Sequence, residues 1–214
     1  MKATRLFIVR HGQTAWNTEK VFRGTIDVPL NDQGFAEAAA VAKALDVEPV
    51  TFIYSSPLSR AVQTAKPLAD VKGIKINEHT GLTDMNFGIW QGHKLDEVKA
   101  EYGELFQTWV ERPHECKIPG AETIAEAQCR ALDACREIAS MHPGQTGMVV
   151  SHRVVCKLLV LGFLGLGPEK FWNVQQDTAA INLFVMASDR AIAFRINDTC
   201  HLAELGTGRV TADF

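Results

Sequence analysis

The sequence predicts an α/β fold, a three-layer sandwich in which helices cover both faces of a mostly parallel central sheet. Short apolar runs rich in β-branched and aromatic residues alternate with longer alanine-rich or amphipathic segments over most of the chain. That alternation is typical of a sheet with helices on both faces. The 214 residues contain no internal repeat, low-complexity stretch or linker-like segment. Residues 1–214 are therefore predicted to form a single domain.

The N-terminal part of the chain begins this pattern with a strand, a helix and a second strand. The run "TRLFIV" at residues 4–9 predicts a buried strand. Asn31 or Asp32 can cap a helix that runs to about Leu45, because "FAEAAAVAKAL" is rich in residues that favour helices. The second strand is predicted in "VTFIYSS" at residues 50–56.

The segment after the second strand predicts another helix. Ser56 and Pro57 are residue types that favour the N-cap and the first position of a helix. Pro67 is expected to kink or end this helix, because proline cannot donate the next backbone hydrogen bond. A short third strand is predicted in "IKI" at residues 74–76.

The middle of the chain predicts a helical insertion and then one long helix. Residues 94–111 are expected to form one or two short helices in a polar, lid-like insertion that covers about residues 92–120. Residues 121–141 form the clearest amphipathic pattern of the sequence. Its apolar stripe consists of Ile124, Ala127, Ala131, Ala134 and Ile138.

The C-terminal third predicts a fourth strand at residues 146–152 and a buried helix at 154–166. Two late strands follow at residues 180–187 and 191–197, joined through "SDR" as a hairpin. These late strands either leave an apolar edge for a homodimer or close the sheet of a monomer. The sequence leaves both alternatives open.

The composition is that of an ordinary globular protein without a basic surface. Hydrophobic residues make up 46% of the chain and charged residues 22%, with a formal net charge of −3. This balance disfavours nucleic acid or an anionic membrane surface as a partner. The apolar stretch "VVCKLLVLGFLGLG" contains Lys157 and is shorter than the ~20 residues of a membrane span. The N-terminal apolar run is too short for a signal peptide, so we expect a cytoplasmic protein.

The cysteines predict reduced thiols instead of a disulfide framework or a zinc site. Their number, five, is odd, and no two of them form a Cys-x-x-Cys pair. They are Cys116, Cys129, Cys135, Cys156 and Cys200.

Charged side chains follow three of the predicted strands at the points where these strands end. Arg10, His11 and Gly12 follow the first strand. Arg60 lies in the helix after the second strand, and His152 ends the fourth. Each residue taken singly is more often a turn or surface residue, but ligands of open α/β sheets bind beyond these strand ends. Two arginines and two histidines there predict a site for a phosphate group, with no metal ion or cofactor.

Five segments of the chain carry a resemblance to a known family. They are "FIVRHGQTAWN", "GTIDVPLNDQG", "IYSSPLSRAVQTA", "FGIWQG" and "VVSHRVV". In this order, and across nearly the whole chain, they resemble the histidine phosphatase superfamily, in the branch of phosphoglycerate mutases and their phosphatase relatives. "RHG" alone would be a weak signal, whereas "RHGxTxWN" with "SSPLxRAxxTA" and a later "VSH" is a specific one.

The resemblance implies a role for each matching position. His11 would be the nucleophile that takes the phosphoryl group. The phosphate pocket would be formed by Arg10, Arg60 and His152. Asn17 would bind the phosphate or orient His11. Asp84 would be the proton donor, at a position where close relatives usually carry glutamate; Glu122 is the alternative donor, with helix capping as its competing role.

Other positions depart from the pattern of the relatives. Arg153 stands where many relatives have glycine, and it either faces outward or adds positive charge near the pocket. Arg23 and Gly24 are predicted to bind substrate, although Arg23 is equally well explained as a solvated loop cation. The C-terminal "NDTCHLAEL" is similar to the tail of metal-independent phosphoserine phosphatases, which would bring His201 to a substrate carboxylate. Phe87 stands where a histidine is expected in those phosphatases.

The resemblance implies a metal-independent phosphomonoesterase that acts on a small phosphorylated metabolite through a phosphohistidine on His11. A phosphoserine-like substrate is favoured. A cofactor-dependent phosphoglycerate mutase and an α-ribazole or sugar-phosphate phosphatase are the alternatives. The non-enzyme alternative is a regulatory protein that binds phosphate ligands, which would need the arginines but not the nucleophile.

Overall fold

The computed structural model describes residues 2–187 and 190–206 and contains a six-stranded sheet in the order β3-β2-β4-β1-β5-β6. The strands are β1 (Thr4–Arg10), β2 (Val50–Ser55), β3 (Ile76–Glu78), β4 (Thr146–Ser151), β5 (Ile181–Met186) and β6 (Ala191–Asp198). The first four strands in the sheet order are parallel, and β5 and β6 are antiparallel additions at one side. The predicted α/β fold with a mostly parallel sheet is confirmed.

Seven α-helices are found in the part of the chain that the structure describes. They are α1 (Ala15–Thr18), α2 (Asp32–Leu45), α3 (Ser59–Lys72), α4 (Leu95–Glu101), α5 (Gly103–Glu111), α6 (Ile124–Met141) and α7 (Arg153–Phe163). Within those same described ranges, no helix has both the length and the apolar character needed to cross a membrane.

The two faces of the sheet are covered by different helix pairs. Phe7 and Val9 of β1 pack against α2 and α3 on one face. Leu6 and Ile8, which point to the opposite face because side chains alternate along a strand, pack against α6 and α7. All four side chains are completely buried. This arrangement confirms the predicted three layers.

The register of the parallel strands brings their carboxyl ends to one edge of the sheet. Arg10, the last residue of β1, pairs with Ser151, the last residue of β4. Ser55, the last residue of β2, pairs with Val150. The residues that follow these strands therefore start from neighbouring points along the same edge.

The predicted start of the helix after β2, with Ser56 as its N-cap and Pro57 as its first residue, was wrong. Helix α3 begins at Ser59 with Leu58 as its N-cap. The Ser56 hydroxyl accepts from the N–H of Leu58 at 3.3 Å and is bonded to His152 at 2.7 Å, so Ser56 lies in the turn before the helix. Pro67 lies inside α3 and does not end it. The helix continues because its buried face packs against α2 and the sheet, which outweighs the lost backbone hydrogen bond.

The third strand begins two residues later than predicted. Gly73 caps α3 in the left-handed conformation, with φ +65°. The backbone N–H of Ile74 donates to the carbonyl of Ala69, so Ile74 still belongs to the helix cap. Strand β3 therefore occupies Ile76–Glu78 instead of residues 74–76.

The insertion between β3 and α6 contains the two predicted short helices, α4 and α5. It has an aromatic core of its own, which includes Phe87, Trp90 and Trp109 and continues onto Val154 and Leu158 of α7. The insertion is thus packed onto the main helical layer instead of being a purely polar flap. The lid-like character of the insertion stays a prediction, as does the single-domain organisation.

The last two strands pair as an antiparallel hairpin, and Ala187 donates a backbone hydrogen bond to the carbonyl of Arg190. Of the predicted "SDR" connection, Ser188 and Asp189 lie outside the described residues. Strand β6 is the edge of the sheet and exposes Phe194.

The loop after β1 is held against the first turn of α2 by a close backbone approach. A Cβ atom on Gly34 would lie 2.0 Å from the carbonyl oxygen of Gln13, and one on Gly12 would lie 2.6 Å from the carbonyl oxygen of Gly34. The N–H of Asn31 donates to the same Gln13 carbonyl at 3.1 Å. These contacts determine where the chain turns directly after His11.

We expect Gly34→Ala to lower the free energy of unfolding by about 1–3 kcal/mol, because the new methyl group has no room beside the Gln13 carbonyl. Gly103→Ala is the matched control, since a Cβ there meets nothing within 4 Å. It should leave stability unchanged or raise it by up to about 1 kcal/mol. Urea unfolding of both variants measures the difference, and equal stability of the two would contradict the close approach.

Candidate active site

The carboxyl ends of β1, β2 and β4 surround a set of buried polar side chains. Arg10, His11, Ser56, Arg60 and His152 are each no more than 1% exposed. They come from the ends of three strands and from the first turn of α3, as the sequence predicts. The rings of the two histidines lie 5.2 Å apart between centroids.

His11 has one ring nitrogen bonded to the backbone and the other directed away from it. Its Nδ1–H donates to the carbonyl of its neighbour Gly12 at 2.7 Å. Its Nε2 is buried and has no hydrogen-bond partner within residues 2–187 and 190–206. The Gly12 bond therefore fixes the tautomer in which the Nε2 lone pair is available.

The surroundings of His11 keep its imidazole neutral. Burial lowers the pKa of His11 well below 6.5, and the positive charges of Arg60, Arg23 and Arg10 lower it further. A neutral imidazole with a free Nε2 is a nucleophile at neutral pH.

His152 has the opposite tautomer. Its Nδ1 accepts a hydrogen bond from Nε of Arg60 at 3.2 Å, so its Nε2 carries the proton and donates to the Ser56 hydroxyl at 2.7 Å. Burial, with the charge of Arg60 next, lowers its pKa well below 6.5. His152 is therefore a neutral ring held between α3 and the end of β2.

The two buried arginines hold the loops around the site. Arg60 donates to the carbonyls of Ile26 at 2.9 Å and Gly24 at 2.8 Å. Arg10 donates to the carbonyl of Gln176 at 2.6 Å. Both guanidinium groups thus have fixed positions at the edge of the sheet, next to the two histidines.

Asp84 lies at the same site and is 6% exposed. Its Oδ2 lies 3.3 Å from Nη2 of Arg60 and 3.7 Å from Nδ1 of His152, and its Oδ1 accepts from the N–H of Met85. Burial raises the pKa of Asp84, although Arg60 and Arg23 oppose the shift. A buried carboxyl group with a raised pKa is suited to donate a proton.

Glu122 is engaged elsewhere. Arg130 binds both of its carboxylate oxygens, at 2.8 and 2.7 Å. The same guanidinium donates to the carbonyls of Gly81 and Thr83, directly before Asp84. Glu122 therefore helps to position the Asp84 segment, and Asp84 is the carboxyl group that lies next to His152.

Three predicted substrate-binding residues lie along the clefts that open from this site. Asn17 accepts from the Thr14 N–H through Oδ1, and its Nδ2 is buried with no partner in the described part of the chain. Gly24 has φ +53°, which favours glycine, and lines one cleft together with Arg23, Asp84 and Arg153. Arg23 and Arg153 thus face a cleft.

His201 lies on the backbone segment next to His11. Its Nε2 bonds to the carbonyl of Ala179 at 3.1 Å, and the N–H of Ala179 donates to the carbonyl of His11 at 3.3 Å. His201 therefore supports the segment next to His11. Its predicted contact with a substrate carboxylate stays a prediction.

Sequence reasoning missed several residues that position the site. Thr64 accepts a hydrogen bond from the N–H of Gly12, one turn after Arg60 on α3; helical spacing from Arg60 could have identified it. Glu37 accepts from the N–H of Gln13 and from the hydroxyl of Thr178. No local signal distinguishes Glu37 from an exposed glutamate in an alanine-rich helix.

Comparisons with known proteins agree with this geometry. Residues 6–199 match the family model described as "Histidine phosphatase superfamily (branch 1)". Phosphoserine phosphatase 1 of Hydrogenobacter thermophilus is 33% identical over 200 residues, which cover 94% of this chain and 95% of that protein.

Solved structures show the same fold. YhfR of Bacillus stearothermophilus has a TM-score of 0.90 and 28% identity, with 94% of this chain and 100% of that chain covered. A mutant phosphoserine phosphatase of Entamoeba histolytica in complex with phosphoserine has a TM-score of 0.81 and 26% identity, with 93% and 99% covered.

We expect His11 and His152 to be neutral in opposite tautomers at pH 6.5, since burial and nearby arginines lower both pKa values. Nitrogen-15 NMR of labelled histidines distinguishes the Nδ1–H and Nε2–H forms, and His11→Ala assigns one set of signals. The titration midpoints should lie below pH 6.5. Protonation of His11 at or above that pH, or a shared tautomer, would contradict the hydrogen bonds described.

Proposed function

This chain belongs to the histidine phosphatase superfamily, and we propose that it hydrolyses a small phosphomonoester through a phosphohistidine on His11. The observation that carries the proposal is the buried Nε2 of His11, available as a lone pair while Nδ1 is bound to the Gly12 carbonyl. Arg10, Arg23 and Arg60 lie close enough to lower the pKa of this ring. They surround the nucleophile with the positive charge that a phosphoryl group requires.

In the first step, Nε2 of His11 attacks phosphorus and the bond from phosphorus to the ester oxygen breaks. The leaving oxygen takes the proton of Asp84, whose raised pKa increases the protonated fraction. The Nδ1–H bond to Gly12 keeps the imidazole ring oriented during the attack. The phosphoryl group is then bound covalently to Nε2, and the alcohol leaves.

In the second step, water attacks phosphorus and the bond between phosphorus and Nε2 breaks. The Asp84 carboxylate, deprotonated in the first step, takes a proton from that water. Inorganic phosphate leaves, and His11 and Asp84 return to their starting protonation states. Two steps with a covalent intermediate replace one direct attack by water on a charged ester.

The charge of the phosphate is balanced by side chains in this proposal, without a metal ion or another cofactor. Each guanidinium can bind phosphate oxygens in pairs. Arg10 and Arg60 are already held by backbone carbonyls, so they need little rearrangement when the phosphate enters.

We favour a phosphoserine-like substrate. The phosphoserine phosphatases named above support this choice, as does the presence of Arg23 and Arg153 in a cleft beside Asp84. A phosphoglycerate mutase remains an alternative, although "DMNFGIWQGHKLDE" differs from the "RHYGxLxGLNK"-like stretch of cofactor-dependent mutases. α-Ribazole and sugar phosphates are the other alternative substrates. The non-enzyme alternative is a protein that only binds phosphate ligands. The free Nε2 of His11 argues against it, because such a protein does not need a nucleophile.

The homodimer and the cytoplasmic location stay predictions. The exposed edge strand β6, with Ile192, Phe194 and Ile196 at its surface, is the face on which a second copy would pack. Light scattering that gives the mass of a monomer would contradict the dimer.

We expect His11→Ala to abolish turnover and to retain most of the affinity for inorganic phosphate, because the arginines remain. Phosphate release is measured in excess EDTA with phosphoserine, 3-phosphoglycerate, α-ribazole phosphate, sugar phosphates and an aryl phosphate. Intact-mass analysis of the quenched wild-type enzyme should find an acid-labile, base-stable phosphoryl group on His11. His114→Ala, at an exposed histidine, is the control and should behave as wild type.

Two results would contradict this proposal. A phosphoryl group on a serine or cysteine would exclude the phosphohistidine, and loss of turnover in EDTA would exclude metal independence. Phosphate binding without turnover of any substrate would favour the non-enzyme alternative.

We expect Asp84→Asn to reduce kcat/KM roughly 100-fold or more for alkyl phosphates and much less for aryl phosphates, because only alkoxide leaving groups need the proton. With alkyl phosphates, wild-type activity should fall as pH rises through the raised pKa of Asp84, because the acid form is lost. That alkaline decrease should be absent from Asp84→Asn. The control is Asp96→Asn, on the exposed face of α4. Equal losses on both substrate types would exclude Asp84 as the acid.

A further inference from the structure

The backbone directly before Asp84 is joined to the end of β4 by a buried hydrogen bond. The Ser151 hydroxyl donates to the carbonyl of Leu82 at 2.7 Å, and both residues are completely buried. Ser151 is the last residue of β4, and Nδ1 of the next residue, His152, lies 3.7 Å from Oδ2 of Asp84. Two successive residues at this strand end thus contact the Asp84 segment, Ser151 through the main chain and His152 through the carboxyl group.

The same stretch of backbone is bound from α6 by Arg130. Nη1 of Arg130 donates to the carbonyls of Gly81 and Thr83, at 2.8 and 2.9 Å. The other two nitrogens of this guanidinium, Nε and Nη2, bind the carboxylate oxygens of Glu122 at 2.8 and 2.7 Å. All three nitrogens have acceptors, so the guanidinium has a fixed position. Ser151 and Arg130 together bind the carbonyls of three consecutive residues.

The Asp84 carboxyl group follows the movement of its own backbone. A single methylene group separates this carboxyl group from the main chain, so rotation of the side chain compensates poorly for a displaced backbone. Its Oδ1 also accepts from the N–H of Met85 at 3.0 Å, which joins the carboxyl group to the next peptide. A reacting group that is misplaced by about 1 Å can lose roughly 100-fold in rate. The bonds to the three carbonyls therefore bear on where the proton of Asp84 is delivered.

We propose that Ser151 and Arg130 are positioning residues for the proton transfer from Asp84 to the leaving oxygen. Each acts through the backbone of the Asp84 segment instead of contacting the substrate. Glu122 contributes indirectly, because it holds the guanidinium of Arg130 in place. This inference rests on the proposed function, since it concerns the acid of the first step. Only substrates whose leaving oxygen needs a proton should depend strongly on these two residues.

The experiment compares the alkyl phosphate that the wild type hydrolyses fastest with an aryl phosphate, whose leaving group does not need the proton. Ser151→Ala and Arg130→Gln should each lower kcat/KM for the alkyl phosphate roughly 10-fold or more, and for the aryl phosphate by less than about 3-fold. Glu122→Gln leaves Arg130 with a neutral partner, so it should have a smaller effect of the same kind. The aryl phosphate uses the same nucleophile and phosphate site, and its rate reports whether these are intact.

A second measurement separates positioning of the acid from general damage to the fold. Ser151→Ala and Arg130→Gln are each combined with Asp84→Asn, and the alkyl phosphate is assayed again. Asp84→Asn has no proton to deliver, so the second substitution should lower its kcat/KM by less than about 2-fold. A purely structural defect would instead multiply the loss that Asp84→Asn causes alone. Arg130 is partly exposed, so Arg130→Gln keeps the test available if Ser151→Ala does not fold.

Two matched controls come from the exposed face of α6. Arg136→Gln removes an arginine that is paired with Asp133 at 3.2 Å. Ser140→Ala removes a hydroxyl that, like that of Ser151, donates to a backbone carbonyl at 2.7 Å. Both variants should hydrolyse the alkyl and the aryl phosphate as the wild type does.

Three results would overturn the positioning role. They are equal losses on the alkyl and the aryl phosphate, losses that multiply in the Asp84→Asn background, and wild-type activity of both Ser151→Ala and Arg130→Gln. Failure of the proposed function has a different signature, which is no phosphate release by the wild type from any substrate, the aryl phosphate included. That result would overturn the positioning role as well, because no proton transfer would remain to be positioned.

Discussion

The hydrogen bond from Nδ1 of His11 to the Gly12 carbonyl is the contact on which the chemistry of the site depends. It selects the tautomer, orients the ring and leaves Nε2 as a buried lone pair. The bond requires a tight turn directly after β1, which in turn requires the close approach of Gly12 to Gly34. Glu37 and Thr64 then hold the backbone of Gln13 and Gly12 in place. These contacts around His11 hold its ring in one orientation, and burial keeps the imidazole neutral.

Burying two guanidinium groups beside that imidazole would be unfavourable without partners. Arg10 and Arg60 obtain them from backbone carbonyls of segments that have no regular secondary structure of their own. The charges and the loops therefore stabilise one another. The segment that carries Asp84 is also stabilised by an arginine bound to backbone carbonyls. This arginine is Arg130, and Glu122 fixes the position of its guanidinium.

Much of this arrangement could be predicted from sequence. It follows from the local pattern of apolar residues and from the rule that ligands of open α/β sheets bind beyond the carboxyl ends of the strands. The strands are short apolar runs, and "RHG", "SSPLSR" and "VSH" follow three of them. What could not be predicted depends on side-chain partners that the local pattern does not identify. Ser56 looks like a helix cap until His152 is placed beside it, 96 residues later. Glu122 looks like a capping residue or an acid until Arg130 is seen to bind both of its oxygens. Side-chain hydrogen bonds that form only in the folded structure decided both cases.

The sheet order has a consequence for how the chain folds while it is being synthesised. Strand β1 is synthesised before the other five strands of this sheet, yet its two neighbours in the sheet are β4, which begins at Thr146, and β5, which begins at Ile181. Until those segments are synthesised, the apolar residues of β1 have no strand to pair with, and long-range pairings of this kind form slowly. His152 is likewise synthesised long after β1, because it follows β4. His11 is thus synthesised well before the segments that enclose it.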